Sequence, residues 1–374
     1  MNIKNVTLGK TGITTPQNGF GALPLQRRNF NDASEILRAA YEGGMTFFDT
    51  ARAYSDSEEK IGMALSDVRR HIYIATKTGA SSPDEMKRHL ETSLKNLKTD
   101  YVDLYQFHMA GQCFAPEDGT GMYECMEDFK RQGMIRHIGI TCHKIGVAEE
   151  CVNSGLYETM QFPFSYLTGE RELNLVEMCR GNDVGFIAMK GLAGGLINNS
   201  RAAFAYISQF DNVLPIWGIQ TMKELQEWLS YMDNPPVMNG ELQAVIRADR
   251  KELDGEFCRG CGYCMPCPQG IKISNCARMS LMVRRAPSAA WLSEEWQHAM
   301  ADIEKCTGCG ACISKCPYEL NTPELLKKNL EDYKKILAGE ICVNIDTQIS
   351  HLSKDFERIS RSHFSKVFFP GVRI

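Results

Sequence analysis

From about Gln17 to Met232 the chain alternates short apolar runs with amphipathic stretches. The apolar runs include Gly44–Phe48, Ile72–Ala75, Val102–Tyr105, Ile135–Ile140 and Val184–Ala188. Weaker ones lie at Asn18–Leu23, Glu158–Gln161 and Val213–Ile216. Runs of this length bounded by turn residues predict buried strands. The stretches between them carry helix starts. Ser82-Pro83-Asp84-Glu85 reads as a capping box with proline at the first helical position, and Met86, Leu90, Leu94 and Leu97 then share one face. Asp32 with Glu35, Ser55 with Glu58 and Thr221 with Glu224 repeat the cap pattern. Repeated strand–helix alternation implies a parallel sheet, and about eight units fit a closed (β/α)₈ barrel. A doubly wound open sheet is the competing architecture, but no G-x-G-x-x-G follows the first strand.

Outside that region the pattern changes. Thr7 to Ile13, centred on Lys10-Thr11-Gly12, predicts a small hairpin ahead of the first barrel strand. Asp233-Asn234-Pro235-Pro236 reads as the exit from the barrel, and Glu241 to Leu253 has helical character. The expected organisation is a barrel over 1–232, a linker and helix over 233–256, a mostly helical cysteine-rich domain over 257–338, and a tail over 339–374 without usable periodicity.

Composition narrows the class. Apolar residues make up 43% and charged residues 24%, and the formal net charge is −4. That charge argues against binding nucleic acid or a membrane surface, which needs a basic field. No apolar run reaches the roughly 18 residues that span a bilayer. Met1 to Pro16 is polar and lacks a secretory apolar core, so the cytoplasm is the expected compartment. Fifteen cysteines stand out, eight of them in two runs, Cys258–Cys267 and Cys306–Cys316. Clustered cysteines in a reducing compartment read as metal ligands before disulfides.

Four polar residues fall at or just after predicted strand ends, where barrels carry chemistry: Asp49, Tyr54, Lys77 and His108. In this order they resemble the Asp–Tyr–Lys–His tetrad of the aldo-keto reductases, a resemblance covering about residues 3 to 232. It implies nicotinamide-dependent reduction of a small carbonyl compound, or oxidation of the alcohol. Hydride reduction leaves an alkoxide that needs a proton, and Tyr54 can donate one. A nearby Lys77 ammonium is expected to favour the phenolate, Asp49 to orient Lys77, and His108 to hydrogen-bond the carbonyl oxygen.

The resemblance also implies a site for NADP(H) or NAD(H). Gln161 matches a glutamine packing near the nicotinamide ring, and Thr141 stands where a carboxamide partner is expected, followed by an unusual Cys142. Lys190, Gly191 and Gly194 resemble the loop over the pyrophosphate, where glycines admit phosphate oxygens to backbone N–H groups. Gly218 and Gln220 precede the last barrel helix; Lys223 is the only nearby cation, and Glu227 matches an adenine contact. NADPH and NADH both stay open on these residues.

Cys306-x₂-Cys309-x₂-Cys312-x₃-Cys316-Pro317 is the bacterial ferredoxin run for a [4Fe–4S] cluster. Cys258-x₂-Cys261-x₂-Cys264-x₂-Cys267-Pro268 is one residue shorter and resembles the first run of aldo-keto reductases with a C-terminal ferredoxin-type segment. Cross-ligation then implies Cys258, Cys261, Cys264 and Cys316 on one cluster, with Cys306, Cys309, Cys312 and Cys267 on the other. Zinc is the alternative, though zinc ribbons use separated C-x₂-C pairs. Cys276 and Cys342 are candidate stand-in ligands, and Cys113, Cys125, Cys142, Cys151 and Cys179 read as packing residues. The clusters could relay electrons to a redox partner protein, sense oxidants or staple the segment. A redox sensor or electron carrier with an inactive barrel is the alternative to the enzyme.

Overall fold

The computed structural model describes residues 2–253, 257–285, 288–341 and 343. Cys342 and nearly all of the expected tail, including Phe368-Phe369-Pro370-Gly371, lie outside the described residues. The chain forms two compact units: Met1–Ala193 with Asn199–Lys251, and Gly194–Asn198 with the chain from Glu252.

The first unit begins with an antiparallel hairpin of β1 (Asn5–Thr7) and β2 (Thr14–Pro16). Eight strands follow: β3 (Gly19–Gly21), β4 (Phe47–Asp49), β5 (Tyr73–Thr78), β6 (Val102–Phe107), β7 (Ile135–Thr141), β8 (Thr159–Pro163), β9 (Gly185–Met189) and β10 (Val213–Gly218). All eight pair in parallel and close β10 onto β3, which makes the expected barrel. A helix separates each strand from the next, from Phe30–Glu42 to Ser200–Ile207, and Met222–Asp233 follows β10. The helix Gly240–Glu252 goes with this unit almost to its end, burying Leu242 and Ile246 while Arg250 Nε donates to Tyr166 O at 2.6 Å.

The caps only partly follow the sequence pattern. Thr221 and Glu224 form the reciprocal box. Ser82 accepts from Glu85 N at 3.3 Å, but the Glu85 carboxylate turns back to Ser81. Asn29, not Asp32, caps the first long helix; its side chain accepts from Asp32 N at 2.8 Å. Nor does Ser55 cap the next helix, which starts at Ser57, because Glu58 is drawn into the barrel wall. Its Oε1 accepts from Thr76 Oγ1 at 2.7 Å, and Arg52 pairs with its other oxygen. A buried carboxylate gains more from those two donors than from an exposed backbone N–H.

The hairpin determines which end of the barrel can work. Val6, Leu8 and Ile13 pack with Phe47, Leu104, Ile187, Leu214 and Ile216, and Lys10 N donates to Asp183 O at 2.9 Å. An apolar plug therefore fills the N-terminal end. Polar interior residues gather at the other end, where the strands finish.

The second unit is helix and loop among its described residues, with helices including Met279–Arg285, Glu294–Ala301 and Thr322–Leu337. Its core contains Ile271, Ile273, Met279, Val283, Met300, Leu326 and Tyr333, with Cys258, Cys264, Cys267 and Cys306 packed on it. Among the described residues no helix is long and apolar enough to cross a membrane.

One glycine in β7 has a structural reason visible only here. A Cβ on Gly139 would lie 2.3 Å from Thr159 Oγ1 and 3.0 Å from both Gln106 Cγ and Leu104 Cδ1. The bare backbone lets the side chains of β6 and β8 meet across it. Gly139→Ala is expected to destabilise the barrel by about 1–3 kcal/mol through overpacking, measured as a lower denaturation midpoint.

Candidate active site and cysteine cavities

The barrel brings the four tetrad residues together. Asp49 ends β4, Lys77 lies in β5 and His108 follows β6. Tyr54 sits in the loop after β4, which is pinned to its neighbour: Thr50 N donates to Ala75 O at 2.8 Å and Arg52 N to Lys77 O at 3.0 Å. That holds the Tyr54 ring with its centroid 5.2 Å from Lys77 Nζ and edge-on to His108, with centroids 5.6 Å apart.

Lys77 and Asp49 form the buried base of the site. Lys77 Nζ donates to Asp49 Oδ1 at 2.7 Å, to Asp49 Oδ2 at 2.6 Å and to Thr50 O at 2.6 Å. Burial pulls Asp49 up and Lys77 down, and each opposes that drift in the other. An ammonium has three N–H groups. All three are spent, so none reaches the Tyr54 hydroxyl.

This arrangement corrects one expectation from the sequence. Lys77 does not draw Tyr54 toward phenolate. Burial pushes the phenol above its ordinary value, and the Asp49 charge pushes it further. The physical reason is desolvation of the phenol, with Lys77 engaged by Asp49 and the Thr50 carbonyl rather than by the tyrosine. Tyr54 is therefore held as a proton donor. Burial, with Lys77 nearby, lowers His108 to about 3, which leaves a neutral imidazole at physiological pH.

Two residues that the sequence reading passed over belong to the same site. Gln106, in β6, donates through Nε2 to Gln161 Oε1 at 3.0 Å, and both glutamines act on the buried Asp49 carboxyl to hold its pKa down. Its Oε1 is buried with no hydrogen-bond partner in the chain. Glu58 is the second, through its hold on Thr76, the residue before Lys77. Gln106 stands two residues before His108 and Glu58 within a helix start, so neither had a spacing signal of its own.

The residues expected around a nicotinamide lie at successive strand ends. Thr141 ends β7 beside Gln161 in β8, and its Oγ1 accepts from Met109 N at 3.0 Å, holding the loop after His108. Cys142 is buried, with its thiol pushed up to about 12. Lys190 follows β9 with a positive φ of 58°. A Cβ on Gly191 would be 2.5 Å from the Trp217 indole, so that glycine makes room for a ring. Trp217 in turn stacks on Trp228 at 4.1 Å. Gly194 groups with the second unit. Gly218 ends β10; Gln220 Oε1 accepts from Arg27 Nη1 at 3.2 Å, a cation the sequence reading did not connect with this end. Lys223 is exposed, and Glu227 accepts from Ser200 and, at 3.4 Å, from Tyr231.

The second unit gathers its cysteines in two sets. Cys264, Cys267, Cys306, Cys309 and Cys312 line one small cavity with Ile271, Ile273 and Leu326. Burial pushes the Cys258 thiol up, as do Cys261 and Cys316 facing it. Cys264 is pushed up to about 12 by burial, then by Cys258 and Cys261. Gly260 N donates to Cys258 Sγ and Gln269 N to Cys267 Sγ, both at 3.4 Å. Among the described residues no three His, Cys, Asp or Glu side chains converge on one ion position. Tetrahedral zinc would need its sulfurs about 2.3 Å from one centre. Sulfurs set around a wider cavity fit the corners of a cubane better. Cys276 stays buried, with its Sγ 3.5 Å from Ala299 O.

Residues 17–211 match the Aldo/keto reductase family. The chain belongs to that family. Residues 257–321 match the 4Fe-4S dicluster domain, so this is an aldo/keto reductase with an iron–sulfur segment. An uncharacterized oxidoreductase of Bacillus subtilis (strain 168) is 30% identical over 204 residues, which cover 51% of this chain and 65% of that relative's length. An aldo-keto reductase of Bacillus halodurans in its holo form has a TM-score of 0.58 at 21% identity, over 66% of this chain and 96% of that one. One from Klebsiella pneumoniae in complex with NADPH has a TM-score of 0.57 at 22% identity, over 67% and 96%. At such identities the two structures show the shared barrel.

The buried pair sets a measurable energy. Lys77→Met leaves Asp49 without its counter-charge and is expected to destabilise the barrel by about 3–5 kcal/mol. Adding Asp49→Asn should recover much of that, read by denaturation of the single and double variants.

Proposed function

We propose that this aldo/keto reductase reduces a small carbonyl compound, or oxidises the corresponding alcohol, with NADPH or NADH. The supporting observation is the convergence of Tyr54, Lys77, Asp49 and His108 at the open barrel end. A bound nicotinamide supplies the hydride. Tyr54 gives its hydroxyl proton to the carbonyl oxygen as negative charge develops there. His108, neutral, hydrogen-bonds the same oxygen and fixes its position. Asp49 and Lys77 position Tyr54 from below, through the loop that Thr50 and Arg52 pin to β5.

Thr141, Gln161, Lys190, Gly191, Gly194, Gly218, Gln220, Lys223 and Glu227 are the proposed cofactor contacts. The unpartnered Gln106 Oε1 suits an amide donor such as the carboxamide. The NADPH complex of the Klebsiella relative supports the cofactor class.

In the second unit the proposed ligands of one [4Fe–4S] cluster are Cys258, Cys261, Cys264 and Cys316. Those of the other are Cys306, Cys309, Cys312 and Cys267. The proximity of Cys261 and Cys316 to Cys258 supports the first set, and the cavity shared by Cys267, Cys306, Cys309 and Cys312 supports the second, although Cys264 lines that cavity too. Cys309 is exposed beside Ile313, itself 40% exposed, which favours electron exchange with a redox partner protein.

Tyr54→Phe is expected to lower kcat for nicotinamide-linked carbonyl reduction by at least about 100-fold while cofactor binding persists. An unchanged rate sinks the proposal. Since Tyr54 titrates above an ordinary phenol, the wild-type reduction rate should show no loss from its ionisation up to about pH 9. Anaerobically purified protein should hold about eight irons and eight inorganic sulfides per chain. A colourless protein with bound zinc would overturn the cluster assignment.

A further inference from the structure

The second unit contains a cation, Arg278, with no ion pair to a carboxylate among the described residues. Arg278 lies between the helices Ile273–Cys276 and Met279–Arg285. Its guanidinium lies against Gly260, inside the Cys258-x₂-Cys261 loop. A Cβ there would be 2.9 Å from Arg278 Cζ and 3.0 Å from Nη1. The same Gly260 has a φ of +60° and donates its N–H to Cys258 Sγ at 3.4 Å. Arg278 Nη1 donates to Gly194 O at 3.1 Å, and Gly194 too would strike the guanidinium if it carried a side chain. Two glycines in the left-handed region thus make room for one arginine.

The charge has little else to answer it. Arg278 Nε is sealed from solvent without a hydrogen-bond partner among the described residues. Burial lowers the guanidinium, and among the described residues Cys258 opposes that drift. A half-buried cation with no carboxylate partner among the described residues is stabilised when an anion is supplied. A thiolate-ligated iron–sulfur cluster is such an anion, and it gains one more negative charge on reduction. A fixed cation one residue layer away favours the reduced state, as net local charge is a main determinant of cluster potential.

We infer that Arg278 sets the reduction potential of the cluster held by Cys258, Cys261, Cys264 and Cys316, raising it relative to the same site without the charge. The inference rests on the proposed two-cluster reading. The first cluster accepts one electron with no bond made or broken and no proton moved. Arg278 is a positioning and tuning residue for that step.

The test is an EPR-monitored redox titration of the anaerobically purified full chain, with dithionite as reductant and each cluster followed separately. Arg278→Gln is expected to shift one cluster's reduction equilibrium about tenfold toward the oxidised form, 59 mV for a one-electron couple, and to leave the other in place. Arg278→Lys keeps the charge and should stay near the wild-type potential. Unchanged potentials in the glutamine variant overturn the inference, as do equal shifts of both clusters or equal shifts in both variants. If the glutamine variant fails to assemble its first cluster, the lysine variant decides. Assembly near the wild-type potential supports a charge role, and failure there too assigns Arg278 to packing and overturns it. Wild-type protein without iron would instead count against the two-cluster reading.

Discussion

The active end of the barrel is organised around one buried ion pair, Lys77 with Asp49. Two charges taken out of water survive only when their hydrogen-bonding groups are satisfied. Here Asp49 and the Thr50 carbonyl take all three ammonium donors, while Gln106 and Gln161 help to hold the carboxyl pKa down. This demand reaches across four strands, β4, β5, β6 and β8. The bare position at Gly139 leaves room beside Gln106 for Thr159 and Leu104. The polar groups at the barrel end thus rest on a buried polar layer beneath them.

The same pair changes how Tyr54 works. A free ammonium beside a phenol would favour its ionisation, whereas a neutralised one leaves desolvation in command. The tyrosine is then kept protonated, and the neutral His108 beside it is suited to holding a carbonyl oxygen. Burial keeps the phenol protonated, and the ion pair anchors the strand ends beside it.

The iron–sulfur segment follows a related rule with a different outcome. Its cysteines ring cavities and pack on a small apolar core. The barrel neutralises its buried cation with its own aspartate. The second unit sets Arg278 against a cysteine loop, with Cys258 as the opposing charge among the described residues.

Much of this was legible in the residues themselves. Alternation of apolar runs and amphipathic stretches sufficed for eight strands in order, because a strand buried on both faces must be apolar and each parallel return needs a helix. Four polar residues at strand ends and eight cysteines at cluster spacing were visible for the same local reason: their types and intervals are written along the chain. What linear spacing does not contain is which side chains meet across the barrel. Gln106 and Glu58 looked ordinary, the Ser55–Glu58 pair looked like a cap, and Gly191 looked like a phosphate turn. Only the closed sheet put Gln106 against Asp49, drew Glu58 onto Thr76 and laid Trp217 over Gly191. The protonation of Tyr54 was likewise decided by folding, since a pKa reports burial and neighbouring charge rather than residue type.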